Sequence, residues 1–279
     1  MQFILQDPTP SALVQAIEAN TIESFKTWGK WAKLELQQDP EISWTASDIP
    51  FFLFNVVLGL VPQTDHSPAE SLKTVAAATS RASSRGMPMG WWVGLTNPDP
   101  TLGQLLEDQG WLHAATLTGM AVELQTLAEP ASLPPGLTIS QVKDGESLET
   151  WCQLMTSVSE FPDFAAEAWL DMYRAMEIVD DPQWSLYLGV FEGKPVSTSA
   201  LFRGAGVAGI HGVATLPEYR GKGIATAMTY CPLLAAMDES FRVGVLFSSE
   251  MAVGIYRKMG FQEYGAGEIY MWQPEDESQ

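Results

Sequence analysis

A glycine-containing loop between an apolar run and a helical pattern is the feature of this sequence with the clearest chemistry. The segment reads Val213-Ala-Thr-Leu-Pro-Glu-Tyr-Arg-Gly-Lys-Gly-Ile-Ala-Thr-Ala-Met228. Gly221 and Gly223 let the backbone N–H groups of a tight loop converge on an anion, and the N-terminus of the following helix adds a partial positive charge. The segment therefore predicts a site for a phosphate or pyrophosphate group. Glycines also serve ordinary turns, so the loop by itself leaves that alternative open.

A second pattern lies downstream of the loop. A β-rich run at 243–249 precedes a short helical pattern that ends in Ile-Tyr-Arg-Lys-Met-Gly-Phe at 255–261. Gly260 fits the left-handed residue that commonly ends a helix. The pattern predicts a strand followed by a short helix, with Tyr256 on that helix.

Together the two patterns resemble the signatures of the GNAT acyltransferase superfamily. Arg-Gly-Lys-Gly-Ile-Ala at 220–225 is similar to the Arg/Gln-x-x-Gly-x-Gly/Ala pyrophosphate loop of that family, and 255–261 is similar to its second signature, Leu-Tyr-x-x-x-Gly-Phe. The order and the separation also agree. The resemblance implies an acyl-CoA, acetyl-CoA above all, as the donor and a primary amine as the acceptor of an N-acyltransferase. A non-catalytic acyl-CoA-binding or regulatory module is the alternative.

The resemblance also implies how the donor is held. Backbone N–H groups of the loop bind the pyrophosphate, and a backbone N–H near Val213 or Ala214 donates to the oxyanion of the transition state. The strand that ends at Thr215 splays from the strand at 243–248, which leaves edge groups for the pantetheine. Arg220 and Lys222 either contact phosphates through their side chains or are merely solvated. The implied donor-binding residues are Val213, Ala214, Thr215, Arg220, Gly221, Lys222, Gly223, Ile224 and Ala225.

Two side chains are candidates for proton transfer. A phenol hydroxyl near the sulfur can protonate a departing thiolate, and the position of Tyr256 in the second signature favours that role over simple core packing. His211 is a candidate base because imidazole titrates near neutral pH. It lies two residues before Val213, so the period of a strand predicts that both point to the same face, toward the acceptor. A buried structural histidine is the alternative.

Two acidic residues are candidates for binding the acceptor. Glu160 and Asp163 flank Phe161-Pro162 in a segment that lines the acceptor pocket of the resembled family. A carboxylate there binds or deprotonates an amine, whereas solvated loop carboxylates are the common alternative. The sequence does not identify the acceptor, a small-molecule amine or a peptide.

The elements that position these residues can be predicted from residue 137 onward. The expected order is strand 137–142, helices 146–161 and 164–179, strands 184–192, 195–203 and 207–215, helix 223–240, strand 243–248, helix 250–259 and strand 262–273. This order is the layout of the resembled family. We therefore expect an α/β fold of two tandem GNAT-like domains, each a mixed, mostly antiparallel central sheet flanked by helices.

The first half repeats the end of the second half in degraded form. A β-rich run at 89–95, a helical pattern at 102–109, Gly110-Trp111 and a strand at 120–124 follow the order of 243–273. Leu106 then stands where Tyr256 stands, and no glycine loop occurs between residues 62 and 90. With a Pro-rich break at 129–136, we expect a degenerate domain over 1–130 without a donor site and the acetyltransferase domain over 134–279. An unrelated α/β domain with a similar ending is the alternative.

Composition bounds the remaining function classes. The net charge of −19 argues against nucleic acid as a partner and modestly favours a cationic acceptor. The apolar run Phe51–Val61 is shorter than the ~20 residues of a membrane span and predicts a buried strand, so no membrane partner is expected. The first residues do not read as a secretory signal. Cys152 and Cys231 are expected to be inert thiols within helices, and no metal site is expected. The protein is expected to be cytoplasmic and to be a monomer or a homodimer.

Overall fold

The computed structural model describes residues 3–38, 42–60, 68–97, 100–130 and 132–274. Its helices are α1 (Pro10–Thr27), α2 (Pro68–Arg85), α3 (Leu102–Asp108), α4 (Gly145–Val158), α5 (Asp163–Ala175), α6 (Ile224–Asp238) and α7 (Glu250–Lys258). Its strands are β1 (Leu34–Gln38), β2 (Ile42–Ser47), β3 (Val56–Leu60), β4 (Met89–Val93), β5 (Leu112–Glu123), β6 (Leu137–Gln141), β7 (Trp184–Phe191), β8 (Lys194–Gly204), β9 (Val207–Thr215), β10 (Val243–Ser248) and β11 (Gln262–Trp272). The elements expected from residue 137 onward are therefore confirmed.

The chain divides into two compact units that are interleaved along the sequence. The first unit comprises Met1–Thr27 with Thr118–Gly265, and the second comprises Trp28–Leu117 with Ala266–Gln279. The Pro-rich break at 129–136 thus lies inside the first unit. As a boundary between two repeated copies, the predicted division into 1–130 and 134–279 stays a prediction.

The first unit contains a mixed sheet with the strand order β5-β10-β9-β8-β7-β6. β9 and β10 run parallel, and the remaining neighbours are antiparallel. Helices α6 and α7 cover one face, where they enclose what we call the α6–α7 core, a cluster of buried residues that includes Leu201, Ile210, Met228, Tyr256 and Phe261. None of its members comes from α1 or α4, which pack on the other face, or from α5, which packs on α4. The expected mixed, mostly antiparallel sheet between helices is confirmed.

Local sequence explains where the helices of this unit begin. Asp144 caps α4 by accepting a hydrogen bond from the backbone N–H of Ser147 at 2.8 Å, and the Ser147 hydroxyl accepts one from the Asp144 N–H at 3.3 Å. Such a capping box stabilises a helix by about 1 kcal/mol. Pro162 precedes the first residue of α5, Asp163, whose carboxylate is favourably placed in the first turn. Both helix starts are therefore encoded by neighbouring residues.

The second unit contains a sheet with the strand order β1-β2-β3-β4-β11. β3 and β4 run parallel and are connected through α2, just as β9 and β10 are connected through α6. Trp91, Leu106 and Trp111 lie in its hydrophobic core, and the rings of the two tryptophans meet edge to face at 5.5 Å. The crossover supports the predicted repeat of one architecture in both halves of the chain.

The expectation of one buried strand over Phe51–Val61 is wrong for residues 51–55. Phe52–Phe54 form a single 3₁₀ turn, and β3 begins at Val56. Asn55 is responsible, because its side chain accepts from the Ser47 N–H at 2.8 Å and donates to the Ile49 carbonyl at 2.8 Å. A side chain that bonds the backbone in this way competes with a regular strand. Val61 lies outside the described residues.

The turn after α3 repeats the turn after α7. The N–H groups of Gln109 and Trp111 donate to the Leu106 carbonyl, and those of Met259 and Phe261 donate to the Tyr256 carbonyl. Gly110 and Gly260 have positive φ angles of 84° and 98°. Leu106 therefore occupies in α3 the position of Tyr256 in α7, as the sequence predicts.

Each unit is completed by the last strand of the other half of the sequence. Residues 118–123 of β5 pair antiparallel with β10, and residues 268–272 of β11 pair antiparallel with β4. This exchange explains why the units are interleaved.

The structure places Cys152 and Cys231 in α4 and α6, as predicted, and burial raises the pKa of Cys152 to about 12. Within the described residues, no helix is both long and apolar enough to cross a bilayer.

Candidate active site

The predicted phosphate loop adopts a conformation that depends on glycine. After β9, a 3₁₀ turn at Pro217–Tyr219 leads into Arg220, and α6 starts at Ile224. Gly221 and Gly223 have φ angles of 75° and 78°, the left-handed region that other residues enter only with strain. A Cβ atom built on Gly221 has no neighbour within 4 Å. The backbone at Gly221 therefore borders open space that a ligand can reach.

The loop presents backbone donors to that space. The Ala227 N–H makes the first hydrogen bond of α6, to the Gly223 carbonyl at 3.1 Å. In the described structure, the N–H groups of residues 221–226 donate to no other part of the chain. Gly223, as the N-cap, offers no side chain to satisfy them. Free N–H groups at the positive end of a helix form an anion site.

Three basic side chains surround the loop. Lys222 Nζ lies 5.0 Å from the Tyr219 ring and 5.2 Å from the Phe191 ring, and Lys194 Nζ lies 5.3 Å from the Tyr219 ring. Arg220 donates from Nε to the Thr215 carbonyl at 3.1 Å, which fixes the start of the loop. Lys194 Nζ also lies 3.6 Å from Glu218 Oε1, so Arg220 and Lys222 are the basic side chains of the loop itself, and Arg220 also has a role in shaping it.

β9 and β10 are paired only at their beginnings. Cα partners are Ala208 with Gly244 and Gly209 with Val245, whereas β9 continues to Thr215 and β10 to Ser248. The strands therefore diverge in the direction of the loop, and the backbone edge of β9 from residue 210 onward is unpaired with β10. This geometry is the splay that the resemblance implies.

A bulge in β9 lies at the splay. Thr198 pairs with Ala214 and Ala200 pairs with His211, so two residues of β9 face Ser199. Gly212 takes a φ of 56° in this bulge. The Thr198 hydroxyl donates to the Gly212 carbonyl at 2.8 Å, and the Ser197 hydroxyl donates to the Ala214 carbonyl at 2.6 Å.

Ser197 and Thr198 are residues that the sequence reasoning missed. A run of consecutive hydroxyl residues in an otherwise apolar strand was the available signal. Because their hydroxyl groups hold the carbonyls of the bulge, they fix the direction of the neighbouring N–H groups. The oxyanion donor expected near Val213 or Ala214 therefore belongs to a constrained segment.

Tyr256 is buried in the α6–α7 core, and burial raises its pKa to about 12. The nearby hydroxyl of Thr229, which donates to the Ala225 carbonyl at 3.0 Å, offsets part of this rise in the pKa. The phenol stays protonated at neutral pH, the form that a general acid requires. Thr229 was also missed, since a single threonine in a helix carries no sequence signal.

The structure corrects the predicted orientation of His211. Val213 packs against the α6–α7 core, whereas His211 lies on the opposite face, where α1 packs, next to Trp184 and Phe202. The shared face expected from a period of two is wrong because the bulge at Gly212 inserts one residue between them. His211 Nε2 lies 3.0 Å from Asn20 Oδ1. Burial lowers the pKa of His211 from 6.5 to about 4.

Glu160 and Asp163 lie at the loop between α4 and α5, and both are exposed. Glu160 has a φ of 55°, a strained angle for this residue type. The structure shows no contact of either carboxylate with His211 or Tyr256 among the described residues. Their role in acceptor binding stays a prediction.

A series of aromatic rings connects this loop to the bulge. Phe161 packs on Trp169 at 5.5 Å, Trp169 on Tyr173 at 5.4 Å, and Tyr173 on Trp151 at 5.7 Å. Trp151 donates from Nε1 to the Ser199 carbonyl at 3.1 Å, opposite the bulge. The position of the loop is therefore tied to the position of the bulge by rigid side chains.

Comparison with known proteins agrees with this geometry. Residues 182–263 match the family model described as the acetyltransferase (GNAT) domain, which spans β7 to the start of β11 and so includes the bulge, the loop and Tyr256. No curated protein sequence matches the chain.

Three solved structures are similar over nearly the whole chain. A GCN5-related N-acetyltransferase from Kribbella flavida has a TM-score of 0.68 and 19% identity, with 91% of this chain and 95% of that chain covered. A GCN5-related N-acetyltransferase from Sphaerobacter thermophilus has a TM-score of 0.65 and 16% identity, with 96% and 94% covered. A tandem GNAT protein from the clavulanic acid biosynthesis pathway has a TM-score of 0.61 and 13% identity, with 96% and 95% covered.

These similarities show the fold, two GNAT-like units in tandem, and the family model covers the segment that carries the candidate site. Residues 182–263 therefore contain a match to the acetyltransferase (GNAT) domain, within a chain that has the fold of tandem GNAT proteins.

Proposed function

We propose that this protein is an N-acetyltransferase that transfers the acetyl group of acetyl-CoA to a primary amine, with the donor bound in the first unit. The observation that carries the proposal is the loop at 220–225. Its two left-handed glycines, its unpartnered N–H groups and its position at the start of α6 suit a pyrophosphate. Bound acetyl-CoA would supply a thioester carbonyl that an amine can attack.

The residues of the splay fit the other requirements of acyl transfer. The unpaired edge of β9 offers backbone groups to an extended pantetheine, and an N–H of Val213 or Ala214 donates to the developing oxyanion. Tyr256 gives its proton to the leaving thiolate and recovers it from solvent or from the acceptor.

The acceptor side is favourable for a cation. Glu160 and Asp163 place two carboxylates at the loop between α4 and α5, in a chain with a net charge of −19. Phe164, next to Asp163, is 45% exposed and offers an apolar surface to the body of an amine. We propose that Glu160 and Asp163 bind a protonated amine, and that His211 takes up the proton released on attack.

A thiol-release assay tests the proposal directly. Purified protein is incubated with acetyl-CoA and a panel of small amines, peptides and aminoglycosides, and free CoA is measured against a reaction without acceptor. Acceptor-dependent release, with the mass of the product increased by one acetyl group, is the expected result. Matched reactions with Tyr256→Phe identify release that does not depend on the site.

The alternative is a non-catalytic module that binds acyl-CoA. One observation favours it, namely that the Tyr256 side chain is only 6% exposed and packs in the α6–α7 core. Such a module binds acetyl-CoA in calorimetry but releases no thiol with any acceptor. The same two measurements therefore separate the two functions.

A further inference from the structure

The N-terminal helix α1 inserts a buried amide beside β9. Asn20 is 1% exposed, and its side chain has three hydrogen-bond partners. Nδ2 lies 3.0 Å from the Gly204 carbonyl and 3.4 Å from the Phe202 carbonyl. Oδ1 lies 3.0 Å from His211 Nε2. An asparagine from the beginning of the chain therefore contacts the candidate base.

The partners of Asn20 fix the direction of each hydrogen bond. Carbonyl oxygens only accept, so the amide nitrogen of Asn20 must face Phe202 and Gly204. The amide oxygen then faces His211, and because it too only accepts, Nε2 must carry a proton. In a neutral imidazole the other nitrogen, Nδ1, then holds the basic lone pair.

We propose that Asn20 is a positioning residue that holds His211 in the Nε2–H tautomer, so that Nδ1 is the nitrogen that accepts a proton during acyl transfer. The role of His211 as a base rests on the proposed function. The tautomer of His211 rests on the hydrogen bonds of Asn20 alone. It assigns to α1 a part in the site of the first unit.

The surroundings leave the amide little freedom. A Cβ atom on Gly209 would lie 1.8 Å from Asn20 Oδ1, so only glycine at that position allows the side chain to enter. The His211 ring packs against Trp184 at 5.8 Å and Phe202 at 6.1 Å. Both ring orientation and tautomer are therefore set by neighbours that cannot rearrange independently.

The charged side chains of the elements around the His211 ring are bonded to other groups or lie at other positions of α1. Glu23 accepts from the Ala205 N–H at 2.7 Å, and Arg203 of β8 is paired with Glu239. Glu18, also on α1, is buried. Asn20, a neutral group, is thus the direct polar partner of the ring that the structure shows. The low pKa of His211 comes from burial and not from a neighbouring charge.

Nitrogen NMR of the His211 ring tests the tautomer without any variant. In ¹⁵N-labelled full-length protein at neutral pH, we expect a protonated-type shift at Nε2 and an unprotonated-type shift at Nδ1, assigned by loss of the signals in His211→Gln. The opposite pattern, or fast averaging of the two tautomers, overturns the proposal. This result does not depend on whether the protein is an enzyme.

Asn20→Ala and Glu23→Gln form a matched pair for the role in catalysis. Both residues lie on α1 and contact the hairpin of β8 and β9, but Glu23 bonds only the backbone there. Misplacing a reacting group costs on the order of 10²-fold in rate, so we expect about that loss of kcat in Asn20→Ala, with KM for acetyl-CoA unchanged. Glu23→Gln should retain wild-type turnover.

Asn20→Asp tests the role through the pH dependence of kcat/KM, which would not change if Asn20 only stabilised the fold. A carboxylate beside Nε2 favours the protonated ring, so the acid limb of the kcat/KM profile should move to higher pH. Equal losses of kcat in Asn20→Ala and Glu23→Gln, or an unchanged acid limb in folded Asn20→Asp, overturn the role in catalysis. If no acceptor supports thiol release, the proposed function fails while the NMR result still decides the tautomer.

Discussion

Tyr256 on α7 and Thr229 on α6 lie close enough that the Thr229 hydroxyl offsets part of the rise in the pKa of Tyr256 caused by burial. Thr229 donates to the carbonyl of Ala225, which belongs to the glycine loop. The candidate acid and the candidate phosphate site are therefore linked through one threonine. Because Thr229 lies on the helix that begins at the loop, Tyr256 on α7 packs beside the same helix that presents the anion site.

The first prediction concerns Tyr256 itself. Replacement by phenylalanine keeps the ring that packs on Phe261 but removes the proton, so we expect turnover to fall by roughly 10²–10⁴-fold with little change in donor affinity. Turnover is measured by thiol release and affinity by calorimetry. Tyr230→Phe, on the partly exposed side of α6, is the control for loss of a tyrosine hydroxyl. Equal turnover of wild type and Tyr256→Phe, with chemistry rate-limiting, would assign Tyr256 to the core alone.

The second prediction concerns the glycines of the loop. Gly221→Val and Gly223→Val place a side chain where the backbone must approach the pyrophosphate, so acetyl-CoA binding should be lost. Gly110→Val is a matched control for Gly221→Val, because Gly110 has a similar φ of 84° and, as at Gly221, an added Cβ has no neighbour within 4 Å, whereas a Cβ on Gly223 meets Pro134 at 3.7 Å. It carries the same strain, roughly 1–2 kcal/mol, in the second unit. Unchanged affinity in folded Gly223→Val would place the donor elsewhere.

The third prediction concerns the stability of the protein below neutral pH. Burial lowers the pKa of His211 from 6.5 to about 4, so between these values the unfolded chain binds a proton that the folded chain does not. The stabilisation is complete above pH 6.5 and is lost as the pH falls toward 4. The urea midpoint of the wild type should therefore decrease more steeply over this window than that of His211→Gln.

His113→Gln, which removes an exposed histidine of the second unit, serves as the control for this measurement. It accounts for the loss of a histidine side chain at an exposed position. Parallel curves for the wild type and His211→Gln would show that the His211 ring is already protonated in the folded protein near pH 6.

Much of the first unit can be read from the sequence because its signals are local. The capping residues of α4, Pro162 before α5 and the glycine after α7 each mark an element boundary within a few residues. The loop at 220–225 could be predicted for the same reason, since its conformation depends on glycines within it. The face of His211 could not, because a bulge inserts a residue without any strong local signal.

The contacts between distant parts of the chain could not be predicted either. Asn20 and His211 are 191 residues apart, and neither residue type indicates the other. The pairing of β5 with β10 and of β11 with β4 is equally non-local. Either strand could form the same backbone hydrogen bonds at the edge of either sheet, so its own sequence does not indicate which sheet it joins. Such choices are decided by the packing of the whole chain.

The fourth prediction follows from this exchange of strands. A fragment of residues 134–279 lacks β5, the antiparallel neighbour of β10, and α1, which packs on β8 and β9. The fragment exposes both the edge of β10 and the sheet face around Trp184 on which α1 packs. We therefore expect the fragment to aggregate or to unfold without a cooperative transition. Circular dichroism and sedimentation compare it with the full chain. A soluble fragment that melts cooperatively and binds acetyl-CoA would show that 134–279 is an autonomous domain.

The last prediction concerns the number of donor sites. Leu106 is fully buried at the position that Tyr256 holds in α7, and the sequence between β3 and α2 contains no glycine, so the second unit has no sequence counterpart of the loop at 220–225. Equilibrium dialysis should therefore find one CoA per chain, and none in Gly223→Val. Leu106→Tyr, which restores the hydroxyl without the loop, should leave the value at one. A reproducible value of two in the wild type would mean that the second unit binds a donor through groups other than a glycine loop.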